Sequence, residues 1–349
     1  MAGRKFEMLD GLRGVAALAV LLYHLPHPLH RLAPHGYLAV DLFFLMSGFV
    51  VAGAYEERLR SGGLTAGAFL LVRLKRLWPL YALGLVLGVA MFLALRWLRP
   101  DAGFAFPAMP VAVAALLSLL FLPQFAAYGG PAFPFNSAAW SLSVELAGNL
   151  AYAVLARRLR TGLLAILCLT GLGGLILIAA RTGGLDVGVA PTSLAGGYVR
   201  FLFSFPLGVL LWRLHAAGKL PLFRVPPLLL LAAAGAAFAG ALPDTVAVAL
   251  LFPLLAIAAR CPVTSPGLAR GFAWAGAVSY PLYVLHRPLV DALYVLDGRI
   301  FGALAVLAGA VAAAAAAERW FDRPIRSLIR QAGANVGIPW KRAQFTKVL

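Results

Sequence analysis

Apolar runs long enough to cross a lipid bilayer recur along the whole chain, and they constrain its fold more than any other feature. A transmembrane helix needs about 20 mostly apolar residues. Hydrophobic residues make up 62% of the 349 residues, whereas charged residues make up only 12%. Because backbone polar groups inside a membrane must be bonded within their own segment, the sequence predicts an all-α polytopic membrane protein.

The charge of the chain is strongly basic, with 30 basic and 13 acidic residues and a formal net charge of +17. In a chain this apolar, the basic excess indicates cytoplasmic loops and contacts with anionic membrane lipids or an anionic cytosolic substrate. We do not expect nucleic acid as a partner. Cys168 and Cys261 lie in or beside apolar segments without metal-ligand spacing, so we expect neither a metal site nor a disulfide framework.

Counting the apolar runs predicts about ten transmembrane helices in a bacterial inner (plasma) membrane, with both termini in the cytoplasm. The run at 111–122 is the exception, since its roughly 18 Å of helix is shorter than the ~30 Å hydrocarbon core. We predict that this run is re-entrant or interfacial, which keeps the basic RRLR segment at 157–160 in the cytoplasm. Residues 1–330 then form one transmembrane domain and residues 331–349 a basic cytoplasmic tail.

The first candidate site residues lie at the two ends of the stretch 9–24, LDGLRGVAALAVLLYH. Arg13 is near its inner end and His24 at its outer end, roughly 16 Å apart along a helix. His24 is either a general base or an interfacial histidine bonded to a loop carbonyl. Asp41, one turn into the second predicted helix on the same outer side, either orients the imidazole of His24 or is only a charge at a helix start.

A second candidate is the basic cluster RLKR at 73–76, at the inner end of the third predicted helix. Such a cluster is ordinarily a topology signal. Arg73 and Arg76 lie on the same inner side as Arg13, however, and guanidinium groups bind phosphates bidentately. These three arginines therefore also suit a pocket for a phosphate-rich cytosolic molecule.

The third candidate is the stretch 135–145, FNSAAWSLSVE, which enters a helix from the outer side. Ser141 precedes Glu145 by four residues, so the two share a helix face. Glu145 lies about 10 Å below the outer end, where we expect it to meet His24 unless it pairs with an intramembrane arginine such as Arg200. His286, at the outer end of a later helix, either assists at the site or anchors the helix end.

The chain resembles membrane-bound acyltransferase family 3, which includes O-antigen and exopolysaccharide O-acetylases and macrolide O-acylases. The matching stretches follow the family's order over nearly the whole chain. They are LDGLRGVAALAVLLYH, GYLAVDLFFLMSGFV, the RLKRLWPLY block, WSLSVE, SYPLYVLHRPL and the closing segment 318–326. No single stretch is specific, but together they are.

The resemblance implies transfer of an acyl group, acetyl by default, from cytosolic acyl-CoA to a hydroxyl near the outer face. The acceptor is a carbohydrate, a glycolipid or another hydroxyl compound, and no metal is needed. By the resemblance, His24 is the catalytic histidine, and Arg13, Arg73 and Arg76 are donor-binding or otherwise essential. Asp41 or Glu145 is expected to orient His24, and Ser141 or Asn136 to stabilise the oxyanion.

The main alternative is a proton-coupled transporter, because many spans with intramembrane His, Asp, Glu and Arg also suit ion-coupled export. An inverted repeat would favour the transporter, and the sequence has none that we detect. A non-catalytic membrane scaffold is the third interpretation, but it leaves the intramembrane charges unexplained. Thioester turnover that depends on His24 separates the enzyme from both.

Overall fold

The computed structural model describes residues 6–98, 109–125, 130–222, 224–296 and 300–335, and within these ranges the chain is helical and contains no strand. We label the helices α1 to α12 in chain order. They are Glu7–His24, Ala39–Ser61, Ala66–Leu98, Val111–Leu119, Ala139–Leu155, Thr161–Thr182, Leu194–Ala216, Pro227–Phe238, Asp244–Ala258, Pro266–Leu296, Ile300–Ala317 and Arg323–Asn335.

Several of these helices are long and apolar enough to cross a membrane, which confirms the polytopic fold. By length and composition the candidate spans in the described ranges are Gly36–Ser61, Ala66–Leu98, Thr161–Thr182, Pro191–Ala216 and Gly302–Ile329. Helices α8 and α9 are apolar but shorter. Helix α1 has 18 residues, but Glu7, Asp10 and Arg13 interrupt its apolar surface. The total of ten crossings stays a prediction.

Helices α1 and α10 pack closely and run in the same direction. Ala275 faces Gly14, and His286 faces His24 further along. The difference between facing residue numbers stays at 261 or 262, which means that the two helices are parallel. A Cβ on Gly14 would lie 2.6 Å from the Cβ of Ala275. Such close approach of two helices is typical of small residues at membrane helix interfaces. The sequence predicts the same relative direction for these two segments.

Helices α2 and α7 form a second parallel pair. Gly48 of α2 faces Gly208 of α7, and a Cβ on Gly48 would lie 2.1 Å from the carbonyl oxygen of Phe205. The ion pairs at the two ends of this contact are Asp41 with Arg200 and Glu56 with Arg213. Close backbone contact in the middle and opposite charges at both ends fix the register of the pair.

Helices α3 and α5 complete the group around α10. The Tyr280 hydroxyl donates to the carbonyl of Leu77 in α3 at 2.5 Å, and Val284 packs on Gly84 one to two turns further along. Asn136, just before α5, donates its Nδ2 to the carbonyl of Val284 at 2.8 Å. Helix α3 is therefore parallel to α10, and α5 begins beside the same turn of α10.

Loops from several helices meet at the end of the bundle that holds His24. The Tyr23 hydroxyl donates to Asp186 in the α6–α7 loop at 2.5 Å. The Tyr37 hydroxyl donates to Asp244 at the start of α9 at 2.8 Å. The α1–α2, α6–α7 and α8–α9 loops thus lie at one end of the helix bundle. This agrees with the alternating inward and outward directions of the predicted spans.

The short helix α4 enters and leaves the bundle at this same end. Its start packs beside Phe92 in the distal half of α3, and its last residue, Leu119, accepts a hydrogen bond from the Trp78 indole at 3.2 Å. The chain then returns, since the backbone N–H of Ala132 donates to the carbonyl of Val189 in the α6–α7 loop at 2.9 Å. With nine residues, α4 is too short to span a bilayer alone, and the assignment of the segment as re-entrant or interfacial stays a prediction.

Several helices are longer than their apolar runs. The apolar run of α2 ends near residue 55 but the helix continues to Ser61, and the apolar run at 272–286 lies within the longer α10. Helix α11 passes through a π-helical turn, Glu318–Asp322, into α12. Hydropathy marks only the part in lipid, whereas backbone hydrogen bonding continues into the charged flanks. The predicted tail lies outside the described residues from position 336 onward.

The α2–α7 contact gives a stability prediction. In Gly48→Ala the new Cβ would meet a backbone oxygen that has little room to move, so we expect a loss of about 1–3 kcal/mol of unfolding free energy. Gly173→Ala in α6 is the control, because that position faces open space and Ala favours helix. The measurement is the thermal unfolding midpoint of both purified variants in one detergent. Equal midpoints would contradict the close contact.

Candidate active site

A cavity of about 110 Å³ lies among α1, α2, α3, α5 and α10. Its apolar lining comes largely from α2. Its polar lining consists of Arg13, Ser47, Arg73, Arg76, Ser141, Glu145, Ser279, Tyr280 and Tyr283. Three arginines and one glutamate leave this lining with a formal charge of +2. A site of this kind favours an anionic ligand, because low-dielectric walls strengthen the attraction.

The arginines of α3 reach the cavity because positions 73 and 76 share one helix face. Arg73 donates to the Oε1 of Glu145 at 2.7 Å, and the same oxygen accepts a hydrogen bond from the Ser47 hydroxyl at 2.6 Å. Arg76 lies 3.5 Å from Asp322, at the turn between α11 and α12. The carboxylates hold both guanidinium groups in place at the cavity wall.

The two histidines at the other end of the site form a direct contact. Nδ1 of His24 lies 2.8 Å from the carbonyl oxygen of Val20 and 3.3 Å from Nε2 of His286. Nδ1 of His286 lies 2.8 Å from the carbonyl oxygen of Tyr283. Because a carbonyl only accepts, both Nδ1 atoms carry the protons. Nε2 of His24 is then unprotonated, which is the state that a general base requires.

Polar side chains surround this histidine pair on the loop side. Tyr23 bonds Asp186, and Arg287 pairs with Asp291 at 2.6 Å. None of the carboxylates in the described ranges is hydrogen-bonded to His24, so the group that contacts its ring is the second imidazole rather than an acid. His24 is half-buried at the end of α1.

Phe43 and Tyr283 form the boundary between the cavity and the histidines. Both line the cavity, and their rings meet edge to face with centroids 5.7 Å apart. The ring of Tyr283 also lies 6.0 Å from that of His286. Its hydroxyl is 2.6 Å from the hydroxyl of Ser141, so two hydroxyl groups stand at this wall. His24 lies outside the lining of the cavity as described.

The expected contact between Asp41 and His24 is not formed. Both carboxylate oxygens of Asp41 accept hydrogen bonds from Arg200, the shortest at 2.7 Å, and both side chains are fully buried. Arg200 also donates to the backbone carbonyls of Tyr37 and Val187. Asp41 thus faces α7 rather than α1, because a buried carboxylate must find a cation or several hydrogen bonds.

Glu145 is likewise not beside His24 but in the cavity, paired with Arg73 rather than with Arg200. Ser141 and Glu145 share a face as predicted, and both line the cavity. Asn136 is buried and uses its amide N–H on the carbonyl of Val284, so it joins α5 to α10. Of the two expected oxyanion donors, only Ser141 therefore lies in the cavity.

Sequence reasoning named His286 as either a site residue or a helix anchor without pairing it with His24, and it missed Ser47 and Tyr283. A signal for His286 was present, since its helix and the first helix were both predicted to run outward and to end in histidine. For Ser47 and Tyr283 the sequence carries no comparable signal, because both lie in apolar runs. Among the described residues, no group of three or more His, Cys, Asp or Glu side chains is arranged to hold a metal ion.

Comparison with known proteins identifies the family. The acyltransferase family 3 model, described as an acyltransferase domain, matches residues 6–318. Protein 2 in the picA locus of Rhizobium radiobacter is 43% identical over 155 residues, which are 43% of this chain and 81% of that protein. A protein of Staphylococcus aureus (strain COL) named as an O-acetyltransferase is 37% identical over 87 residues, or 24% of this chain and 14% of that protein. No solved structure matches the chain significantly.

The fold and the matches define a polytopic membrane protein with an acyltransferase domain, and the chain belongs to acyltransferase family 3. An acyl donor and a hydroxyl acceptor are the substrates that O-acetyl transfer requires. The match to the Staphylococcus protein spans only about one seventh of that protein's length, so its name describes that protein and not this chain.

The burial of Asp41 gives a prediction that separates a structural role from a catalytic one. Asp41→Asn leaves Arg200 buried without its counter-charge, at a cost of about 3–5 kcal/mol. The double variant Asp41→Leu/Arg200→Met removes both charges and should recover most of that stability. Glu57→Gln is the control, because Glu57 is an exposed carboxylate of the same helix and its removal should cost at most about 1 kcal/mol. An unfolding midpoint unchanged by Asp41→Asn would contradict the structural role.

Proposed function

We propose that this protein is an O-acyltransferase of the bacterial inner membrane. It transfers an acyl group, acetyl by default, from cytosolic acyl-CoA to a hydroxyl of a carbohydrate or glycolipid near the outer face. The proposal rests on one observation about α1. This helix carries Arg13 in the cationic cavity and, at its end, His24 with an unprotonated Nε2. The chain's family and the names of its relatives support acyl transfer in general.

The chemistry of the cavity supports acyl-CoA as the donor. CoA carries several phosphate groups, and a lining of charge +2 with two arginines on one helix face suits them. Arg13 lies eleven residues before His24 on α1, or roughly 16 Å. A donor held by its phosphates at Arg13, Arg73 and Arg76 needs a long thin arm to bring a thioester to His24, and pantetheine is such an arm.

The transfer step follows from the protonation state of the histidines. Nε2 of His24 takes the proton of the acceptor hydroxyl, and the hydroxyl oxygen attacks the thioester carbonyl carbon. The carbon–sulfur bond then breaks, and the CoA thiolate leaves and takes the proton back from His24. The Nδ1–H of His24 is shared between the carbonyl of Val20 at 2.8 Å and Nε2 of His286 at 3.3 Å, and these two acceptors hold the ring with Nε2 towards the substrates. His286 is thus a positioning residue.

The hydroxyls of Tyr283 and Ser141 are the best-placed donors for the oxyanion of the tetrahedral intermediate. They lie 2.6 Å apart where the cavity approaches His286, both are within 3.2 Å of the carbonyl oxygen of Ala138, and one of them must turn from that carbonyl to donate to the oxyanion. Removal of one such donor typically lowers kcat by about 10²–10³-fold. A thioester that reaches His24 must displace the ring contact between Phe43 and Tyr283.

The orientation proposed for the chain follows from the donor. CoA is cytosolic, so the end of the bundle nearer the arginines faces the cytoplasm and the histidine end faces outward. Both termini are then cytoplasmic, and basic residues such as Arg157 and Arg158 lie inside, in line with the positive-inside rule. In this proposal residues 1–330 are the transmembrane acyltransferase domain and 331–349 a cytoplasmic tail. Membrane lipids are the surrounding partner.

The first test measures free CoA released from acetyl-CoA by the purified protein in liposomes. His24→Ala should lower the rate by about 10²–10⁴-fold, the usual effect of losing a general base. His27→Ala is the matched control, since His27 is an exposed histidine three residues further along the outer loop. Release at the wild-type rate from folded His24→Ala would remove His24 from the chemistry.

A second test measures CoA binding to the same preparations by titration calorimetry. Arg76→Gln should weaken binding about tenfold or more, because one charge-assisted contact is worth about 1.5–3 kcal/mol. Arg76 is preferable to Arg73, because Asp322 keeps a second partner, Arg326 at 2.5 Å, whereas Glu145 would lose its cation. Arg158→Gln is the exposed control. Equal affinities in both variants would move the donor site away from this cavity.

A further inference from the structure

A second recess lies on the opposite face of α3 from the cavity. It has a volume of about 600 Å³ and lies between α3, the end of α4, α5 and α12. Its walls are apolar, and they include Leu74, Trp78, Leu119, Phe121, Leu146 and Ile329. Lys75 is the one charged residue of this lining. We call this recess the α3–α4 groove.

Lys75 belongs to the same RLKR cluster as the cavity arginines but faces the other way. Arg73 and Arg76 each have a carboxylate partner, Glu145 and Asp322. None of the carboxylates in the described ranges pairs with Lys75. An ammonium beside apolar walls in a membrane requires a counter-ion or water. Within the described residues, the groove therefore contains an ammonium without a carboxylate partner, which an external anion can neutralise.

The far wall of the groove is rigidly built. Phe121 adopts a left-handed backbone conformation with φ 58° and stacks on Tyr81 with ring centroids 4.2 Å apart. Its carbonyl accepts a hydrogen bond from Ser143 of α5 at 2.8 Å. The Trp78 indole donates to Leu119 across the groove at 3.2 Å. These contacts fix the end of α4 against α3 and keep the groove open between them.

We propose that the α3–α4 groove binds one anionic phospholipid, with a lipid acyl chain along Trp78 and Phe121 and the headgroup phosphate on Lys75. The groove opens towards the bilayer, since Trp78 is 41% exposed and Leu120, beside it, is 57% exposed. A free ammonium at the edge of an apolar groove complements an anionic headgroup better than a zwitterionic one. The donor CoA does not compete, because the phosphate-binding arginines face the other side of α3.

The test uses quenching of tryptophan fluorescence by lipids with brominated acyl chains. The full chain is reconstituted in vesicles of phosphatidylcholine and phosphatidylglycerol, in which either lipid is brominated at the same mole fraction. The chain has seven tryptophans, and the difference between wild type and Trp78→Phe isolates the signal of Trp78. No acyl transfer is measured, so the result does not depend on the proposed function.

At Trp78 we expect phosphatidylglycerol to bind about fivefold more strongly than phosphatidylcholine, which corresponds to about 1 kcal/mol for one lysine. Lys75→Met, which keeps the length of the side chain, should reduce this ratio to about one. Lys75→Arg should keep the preference, and Lys219→Met, at an exposed lysine elsewhere, should leave it unchanged. A ratio near one in the wild type, or an unchanged ratio in folded Lys75→Met, would overturn the proposal.

Discussion

The close parallel packing of α1 on α10 is the contact on which the site depends. Gly14 lets the two backbones approach, and the constant residue offset then carries through to His24 and His286 at the other end. The two histidines lie at the same level along parallel helices, so the packing of the helices alone brings them into contact. Because lipid offers no hydrophobic drive between helices, this geometry rests on small residues and interhelical hydrogen bonds.

The second constraint is that charge inside a membrane must be compensated. Asp41, fully buried, is held by Arg200, and Glu145 in the cavity is held by Arg73. The first pair carries no net charge into the bundle and fixes α2 on α7. The second lies in the cavity lining together with Arg13 and Arg76, of which Arg76 pairs with Asp322 outside the lining, and the lining residues themselves carry a formal charge of +2. One acid–arginine pair therefore joins two helices, whereas the other belongs to a positively charged cavity lining that attracts anions.

The sequence predicts which segments are helical and their relative directions, because length and hydropathy determine these features. It also predicts that Arg73 and Arg76 share a face. It does not predict the partners of Asp41 or Glu145, which depend on the rotation of α2 and α5 about their axes. Helix α2 is apolar nearly all round, so hydropathy does not orient it, and only Gly48 and the ion pairs with α7 do.

The position of Arg13 and His24 on one helix also limits how a reaction between the two ends can proceed. The helical rise fixes the roughly 16 Å between these two residues, and no movement of α1 against its neighbours shortens it. A donor bound as proposed above must therefore bridge that distance itself. The ring pair at the boundary, Phe43 and Tyr283, belongs to two different helices, so rotation of these side chains opens the way without moving the bundle. A fixed distance with a movable aromatic boundary favours an extended, flexible donor over a compact one.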